Sequence, residues 1–141
     1  MLIKHILASK GVNVVSIAPD QTLRDAVALL AKHCIGALVV ADRAGKPVGI
    51  LSERDLIRAA SQDERFFDQH VAALMTTNVV VGSPDDDILS VQKTMTEKRF
   101  RHLPIMDEGK LAGIISVGDI VKAIVEEYQG EIESLKTYLL G

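Results

Sequence analysis

Two stretches of this chain close an apolar run with the same set of reactive groups, Gly49-Ile50-Leu51-Ser52-Glu53-Arg54-Asp55 and Gly113-Ile114-Ile115-Ser116-Val117-Gly118-Asp119. In each, a serine stands three residues before an aspartate, ahead of a helix-forming stretch. One account is structural: Ser-x-x-Asp resembles a capping box, in which the hydroxyl accepts from a backbone N–H of the first turn and the acid answers the N-cap. The other account is a binding one and is compatible with the first. A strand that ends at a serine and opens a helix presents backbone N–H groups and a hydroxyl to an anion, and a carboxylate one turn in accepts hydrogen bonds from both hydroxyls of a ribose. Sugar and phosphate together describe a nucleotide, and both accounts stay open at this point.

Other chemistries fall away. Neither Gly45-Lys46 nor Gly109-Lys110 has the upstream glycine or the following Ser/Thr of a phosphate loop, and no Gly-x-Gly-x-x-Gly occurs. Around Ser116 the preceding glycine is one residue too far for a nucleophile elbow, and the other copy carries Arg54 in place of Gly118, which argues against a small hydrolase. His5, His33, His70 and His102 show no metal-ligand spacing, so no metal is expected. Asp85-Asp86-Asp87 falls where a helix begins, and carboxylates there oppose the positive end of its dipole.

The elements that position these groups are written twice. Val14-Val15-Ser16-Ile17-Ala18-Pro19-Asp20 returns at an offset of 65 as Val79-Val80-Val81-Gly82-Ser83-Pro84-Asp85, and after a one-residue deletion Gly45-Lys46, Gly49-Ile50, Ser52, Asp55 and Ala59 recur at an offset of 64. Two copies are too few for a solenoid and each is too short to bury much alone, so they are expected to pack together about a pseudo-twofold axis, creating related clefts. In the first copy, hydropathy reads as a strand over Asn13–Ile17, a helix from Leu23 to His33, strands at Ala37–Val40 and Val48–Leu51 around a hairpin turn, and a helix over Ser52–Ala60. The second reads as strand Val79–Val81, helix Ile88–Lys98, strands His102–Ile105 and Leu111–Ile115, and a helix from Ser116. Each copy is β-α-β-β-α: repeat 1 spans 14–60, a linker and entry segment 61–78, repeat 2 79–125, and a helix extension 126–141. Phe66 and Phe67 are expected to tuck the linker onto the body.

Composition agrees with one α+β module over residues 1–141. The 48% hydrophobic content supports a core and rules out a long disordered chain. With 16 basic and 19 acidic residues the net charge of −3 lacks the basic excess of a nucleic-acid binder. Cys34, the single cysteine, cannot form an internal disulfide and is read as a buried small hydrophobe, consistent with a reducing compartment. No run approaches the length of a membrane span, and residues 1–10 lack the apolar core and cleavage site of a signal peptide; the expected location is cytoplasmic.

The two β-α-β-β-α copies ending in Gly-h-h-Ser-x-x-Asp resemble a tandem pair of cystathionine-β-synthase (CBS) domains, a Bateman module, over nearly the whole chain. Ile35-Gly36-Ala37-Leu38-Val39-Val40, Met75-Thr76 and Arg101-His102-Leu103-Pro104-Ile105 are similar to small stand-alone bacterial CBS-pair proteins regarded as signal-transduction or nucleotide-sensing modules. The resemblance implies a regulatory module rather than an enzyme. Its cleft would hold an adenosine derivative such as AMP, ADP, ATP, NAD(H) or S-adenosylmethionine, and its occupancy would be signalled to a protein target. It also implies a ribose-binding role for Asp55 and Asp119 and ribose or phosphate contacts for Ser52 and Ser116. The strand starts Ile35-Gly36-Ala37 and Phe100-Arg101-His102, with Pro104 following, would flank adenine. Small Gly36 and Ala37 would let a flat base lie on backbone, Ile35 and Phe100 offer apolar faces, and Arg54, Arg101 and His102, with Arg99 beside them, suit phosphate. A ligand-free interaction or structural module and a regulator of a redox partner are the competing readings.

Two further expectations come from the residues. Val121, Ile124, Val125, Tyr128, Ile132, Leu135 and Leu139 recur at three- and four-residue steps, an apolar stripe longer than the repeat requires, with a kink expected near Gly130; it suits packing within the chain or a homodimer. The two sites are expected to be unequal, because Arg54 faces Gly118 across the repeat and an uncharged strand start faces a basic one. Which strand start serves which cleft is not legible at this stage.

Overall fold

The computed structural model describes residues 1–11 and 14–140. The chain begins with helix α1 (Ile3–Lys10), followed by β1 (Ser16–Ile17), α2 (Leu23–His33), β2 (Ala37–Ala41), β3 (Pro47–Ser52) and α3 (Glu53–Gln62). A 3-10 turn at Phe66–Asp68 and a short helix α4 (Val71–Leu74) form the linker. Repeat 2 contributes α5 (Ile88–Lys98), β4 (His102–Asp107), β5 (Lys110–Ser116) and α6 (Val117–Leu140).

Local chemistry accounts for most of these boundaries. Thr22 Oγ1 accepts from Asp25 N at 3.2 Å while Asp25 accepts from Thr22 N at 3.1 Å, a reciprocal cap that starts α2. Asp87 starts α5 with a single cap, accepting from Ser90 N at 3.1 Å, so the last acid of Asp85-Asp86-Asp87 serves as an N-cap. In sheet 1, β1 runs parallel to β2, and β2 pairs antiparallel with β3, with Leu38 opposite Leu51. In sheet 2, β4 and β5 pair antiparallel with Leu103 opposite Ile115.

The repeats are less alike than their sequences. The strand expected at Val79–Val81 does not form; Gly82 alone makes a parallel bridge to Ile105. Gly82 stands where repeat 1 has Ile17, which is buried in the core, and a Cβ at Gly82 would lie 2.8 Å from Leu103 Cδ2. Val80 still packs on the second core, but Gly82 has no side chain to bury where Ile17 buries one, and its backbone is drawn close to β4, so pairing stops at that single bridge. The strand expected from Asn13 is shortened to Ser16–Ile17; Asn13 itself lies outside the described residues.

Each repeat has its own core. Ile17, Leu23, Leu30, Leu38, Val40 and Leu51 centre the first, and Ile88, Met95, Leu103, Ile105, Ile115 and Ile120 the second. Phe66 is buried in the first core and Phe67 packs against it beneath the Arg24 guanidinium, 4.9 Å from the ring centroid, so the linker is tied down as expected. Helix α1 was not anticipated; its Ile3 and Ile6 enter the second core, although their helical spacing with Leu7 was a usable signal.

One expectation is corrected. Cys34 is exposed, because it is the left-handed C-cap of α2 at φ 52° rather than part of a buried run. Helix α6 continues through Gly130 as one element of 24 residues, about 36 Å at 1.5 Å per residue. No helix among the described residues is long and apolar enough to cross a membrane.

Candidate functional site

Both serine-aspartate pairs are helix caps. Ser52 ends β3 and its Oγ accepts from Asp55 N at 3.3 Å; Asp55 Oδ2 accepts from Ser52 N at 3.0 Å and from Ser52 Oγ at 2.9 Å. Ser116 Oγ accepts from Asp119 N at 3.1 Å, and Asp119 Oδ2 from Ser116 N at 2.9 Å. The capping account is therefore correct in both copies, and it orients each carboxylate at a helix start. For Asp55 the hydrogen bonds among the described residues all use Oδ2, leaving Oδ1 as an available acceptor.

A cleft of about 700 Å³ opens beside Asp55 and is walled by both repeats. Repeat 1 supplies Gly36, Ile50, Ser52, Arg54, Asp55 and Arg58, and repeat 2 supplies Arg99, Phe100, Arg101, His102, Ser116 and Gly118. The linker end and repeat 2 entry, Thr76 and Asn78 to Val80, close another side. Strand starts from both copies thus converge on one cleft, which sequence could not decide. The convergence is close: a Cβ on Gly36 would stand 3.5 Å from His102 Nε2 and 3.6 Å from Glu53 Oε1. Backbone bonds hold each strand start to its own helix, Glu53 N donating to Gly36 O and Val117 N to Arg101 O, both at 2.9 Å.

Of the residues singled out from sequence, Ser52, Arg54, Asp55, Ser116, Gly36, Phe100, Arg101 and His102 line this cleft. Ile35, Ala37, Pro104 and Asp119 do not. Ala37 and Pro104 are buried within strands covered on both faces, Ala37 beside Leu38, Val39 and Val40 and Pro104 between Leu103 and Ile105, and Ile35, ahead of β2, packs on the first core. Arg58, Thr76 and Asn78 were missed; Arg58 follows Arg54 by four residues, one helical turn on the same face, which was the available signal.

Charge is concentrated here. Four arginines, Arg54, Arg58, Arg99 and Arg101, share the wall with Glu53 and Asp55. Arg99 reaches it from the left-handed C-cap of α5 at φ 57°, a position that favours glycine. Burial, then repulsion from Lys10, holds His102 below its usual imidazole range despite the carboxylates of Glu53 and Asp119. Asp119 lies elsewhere, beneath α1: Lys10 Nζ donates to its Oδ2 at 2.7 Å and to Ile114 O at 2.8 Å. Burial alone would raise this carboxyl, but the hydrogen bonds from Lys10 and Ser116 outweigh it and hold it below the ordinary range.

A cleft of this size suits a small organic ligand, and it offers a carboxylate oxygen with no hydrogen bond among the described residues, a stretch of wall without a side chain at Gly36 and planar guanidinium donors. No group of three or more metal-ligating side chains occurs among the described residues. Fold and cleft together define a duplicated α+β module whose two units wall one cleft. Residues 3–62 and 71–126 each match the CBS domain, so the chain belongs to the CBS-domain family and carries a CBS pair.

The comparisons with known proteins agree. A CBS-domain containing protein of Agrobacterium tumefaciens, solved by crystallography, is 43% identical, with TM-score 0.82 over 86% of this chain and 92% of that one. The mitochondrial CBS domain-containing protein CBSX3 of Arabidopsis thaliana is 32% identical over 86% of this chain, which spans 62% of that protein's length. The CBS domain pair of protein MJ0100, solved in complex with 5′-methylthioadenosine and S-adenosyl-L-methionine, is 25% identical with TM-score 0.81, covering 90% of this chain and 98% of that one.

Proposed function

We propose that the chain is a regulatory module that binds an adenosine nucleotide, of the class AMP, ADP, ATP or NAD(H), in the cleft beside Asp55 and signals its occupancy to a protein target without catalysing a reaction. The observation that carries this is the convergence on one cleft of Asp55 Oδ1, the Ser52 hydroxyl and four arginines around Gly36. Asp55 would take the ribose hydroxyls, Gly36 and Phe100 the base, and Arg54 and Arg101 the phosphates. Because one ligand would touch both repeats and Thr76 and Asn78 between them, it would favour one arrangement of the repeats over another, and only such a difference in affinity shifts a population.

A homodimer fits the same reading. Val121, Val125, Tyr128, Ile132, Leu135 and Leu139 form an exposed apolar stripe along α6, far longer than a lone module uses. Symmetric pairing of two chains would bury it.

Calorimetry on Asp55→Ala tests the nucleotide. Losing a hydrogen bond to a charged group costs about 1.5–3 kcal/mol, tenfold or more in affinity. Absence of binding heat with AMP, ATP and NAD(H) in the wild type would favour the ligand-free interaction module, and equal affinity in the variant would overturn the ribose role of Asp55.

A further inference from the structure

The entries to the two repeats are built alike and then diverge. Lys4 N bonds Pro84 O as Ala72 N bonds Pro19 O, Ile3 N bonds Asp86 O as Val71 N bonds Gln21 O, and Ile88 N bonds Met1 O as Leu23 N bonds Gln69 O. Each pair is related by an offset of 68 on the entry side, and at that offset Leu7 corresponds to Met75. The contacts agree: Leu7 lies over Gly113 and Met75 over Gly49, the same position in the two motifs. The repeats proper are related by 65, so the first entry carries three more residues than the second. The linker leaves its helix at Met75 and Thr76 bridges Ile50, bringing Thr76 and Asn78 into the wall of the Asp55 cleft. Helix α1 instead continues to Lys10 and stops at Gly11, at φ 90°. That added length sets the Lys10 ammonium on Asp119 Oδ2 and Ile114 O, the acceptor equivalent to Ile50 O, which Thr76 N serves in repeat 1.

We propose that Lys10 is the residue that allots nucleotide to a single cleft: its ammonium, delivered by the extra length of α1, occupies the Asp119 carboxylate and closes the motif of repeat 2 to ligand. This rests on the nucleotide reading above. Both carboxylates bond through Oδ2 among the described residues, but Asp55 Oδ2 holds only its own cap, whereas Asp119 Oδ2 also accepts the Lys10 ammonium at 2.7 Å, a charge-assisted hydrogen bond between partly buried groups that a ribose diol reaching for the carboxylate must displace. Anchoring of α1 through Ile3 and Ile6 in the second core keeps the ammonium in place by tethering rather than by its own affinity.

Native mass spectrometry and calorimetry with AMP and, separately, ATP count nucleotides per chain in the wild type, Lys10→Ala, Lys10→Arg and Lys10→Ala/Asp119→Ala. Alanine suits a last helical turn and leaves both core anchors intact, and the arginine variant restores the cation. The expected result is one nucleotide in the wild type and Lys10→Arg, a second in Lys10→Ala bound at least about tenfold more tightly than any second equivalent of the wild type, and its loss in the double variant. Equal numbers in wild type and Lys10→Ala overturn the role of Lys10. If that equal number is one and it vanishes in Asp55→Ala, the nucleotide reading survives alone. If it is zero, both fall, and a wild type that already fills an Asp119-dependent second site overturns the closure directly.

Discussion

Adding one methyl group at Gly49 should cost more than adding the same group at its repeat partner, Gly113, because of what each would touch. A Cβ on Gly49 would lie 2.6 Å from Met75 Sδ, 2.9 Å from its Cγ and 3.1 Å from its Cβ. Met75 cannot withdraw by a rotamer change alone: its Cβ is fixed to backbone, and the next residue is held to Ile50 by reciprocal bonds of 2.9 and 3.0 Å. Overpacking of this kind costs about 1–3 kcal/mol, offset by about 0.4–1 kcal/mol from the stiffer unfolded chain, a net loss of about 1.3 kcal/mol at mid-range and about 2.6 at most. At about 2.1 cal/mol/K per residue, 141 residues have an unfolding entropy of about 0.3 kcal/mol/K, so Tm should fall by about 4 °C at mid-range and about 9 °C at most. At Gly113 the short contact is one terminal methyl, Leu7 Cδ2 at 2.5 Å, with Leu7 Cγ already at 3.9 Å. A rotamer shift of Leu7 costs about 0.5–1.5 kcal/mol, close to the same offset, so Tm should fall by about 1 °C at mid-range and about 4 °C at most. Scanning calorimetry of both variants, and of Gly49→Ala in a Met75→Ala background, measures the difference. Equal losses at the two glycines, or an undiminished Gly49→Ala cost once Met75 is truncated, would refute the reasoning. Since Thr76 and Asn78 follow Met75 into the cleft wall, Gly49→Ala should also weaken nucleotide binding.

Replacing Arg54 and Arg101 together by alanine should reduce the preference for ATP over AMP about tenfold or more while leaving adenosine affinity nearly intact, as titration calorimetry with the three ligands would read. Truncation after Val125 removes most of the exposed α6 stripe and should convert a dimer into monomers or aggregates by light scattering; a monomer mass for the intact chain at micromolar concentration would count against the dimer. His102, held below its usual 6.5 by burial and by Lys10, binds fewer protons folded than unfolded. Its contribution to stability is therefore complete above the unfolded value and lost as pH falls through the folded one, and His102→Gln should flatten the decline in Tm as pH falls below 6.5.

What the sequence determined by itself is what short-range chemistry controls. Helices Leu23–His33 and Ile88–Lys98 were legible to the residue, because Thr22 and Asp87 cap them and apolar steps of three and four mark their buried faces. The duplicated Ser-x-x-Asp announced both the caps and the pair of domains. Local patterning failed where a distant partner decides the outcome. Val79–Val81 has a strand's composition, but pairing is confined to Gly82, which is drawn against β4 and lacks the buried side chain that Ile17 supplies in repeat 1. Cys34 sits in an apolar stretch yet is exposed, since terminating α2 requires a left-handed turn there. The two strand starts meet in one cleft, and Asp119, identical in motif to Asp55, is covered by a lysine 109 residues away in sequence. A motif specifies which groups a segment carries and how its own backbone bonds. Which of those groups remain free for a ligand depends on long-range packing that sequence spacing does not encode.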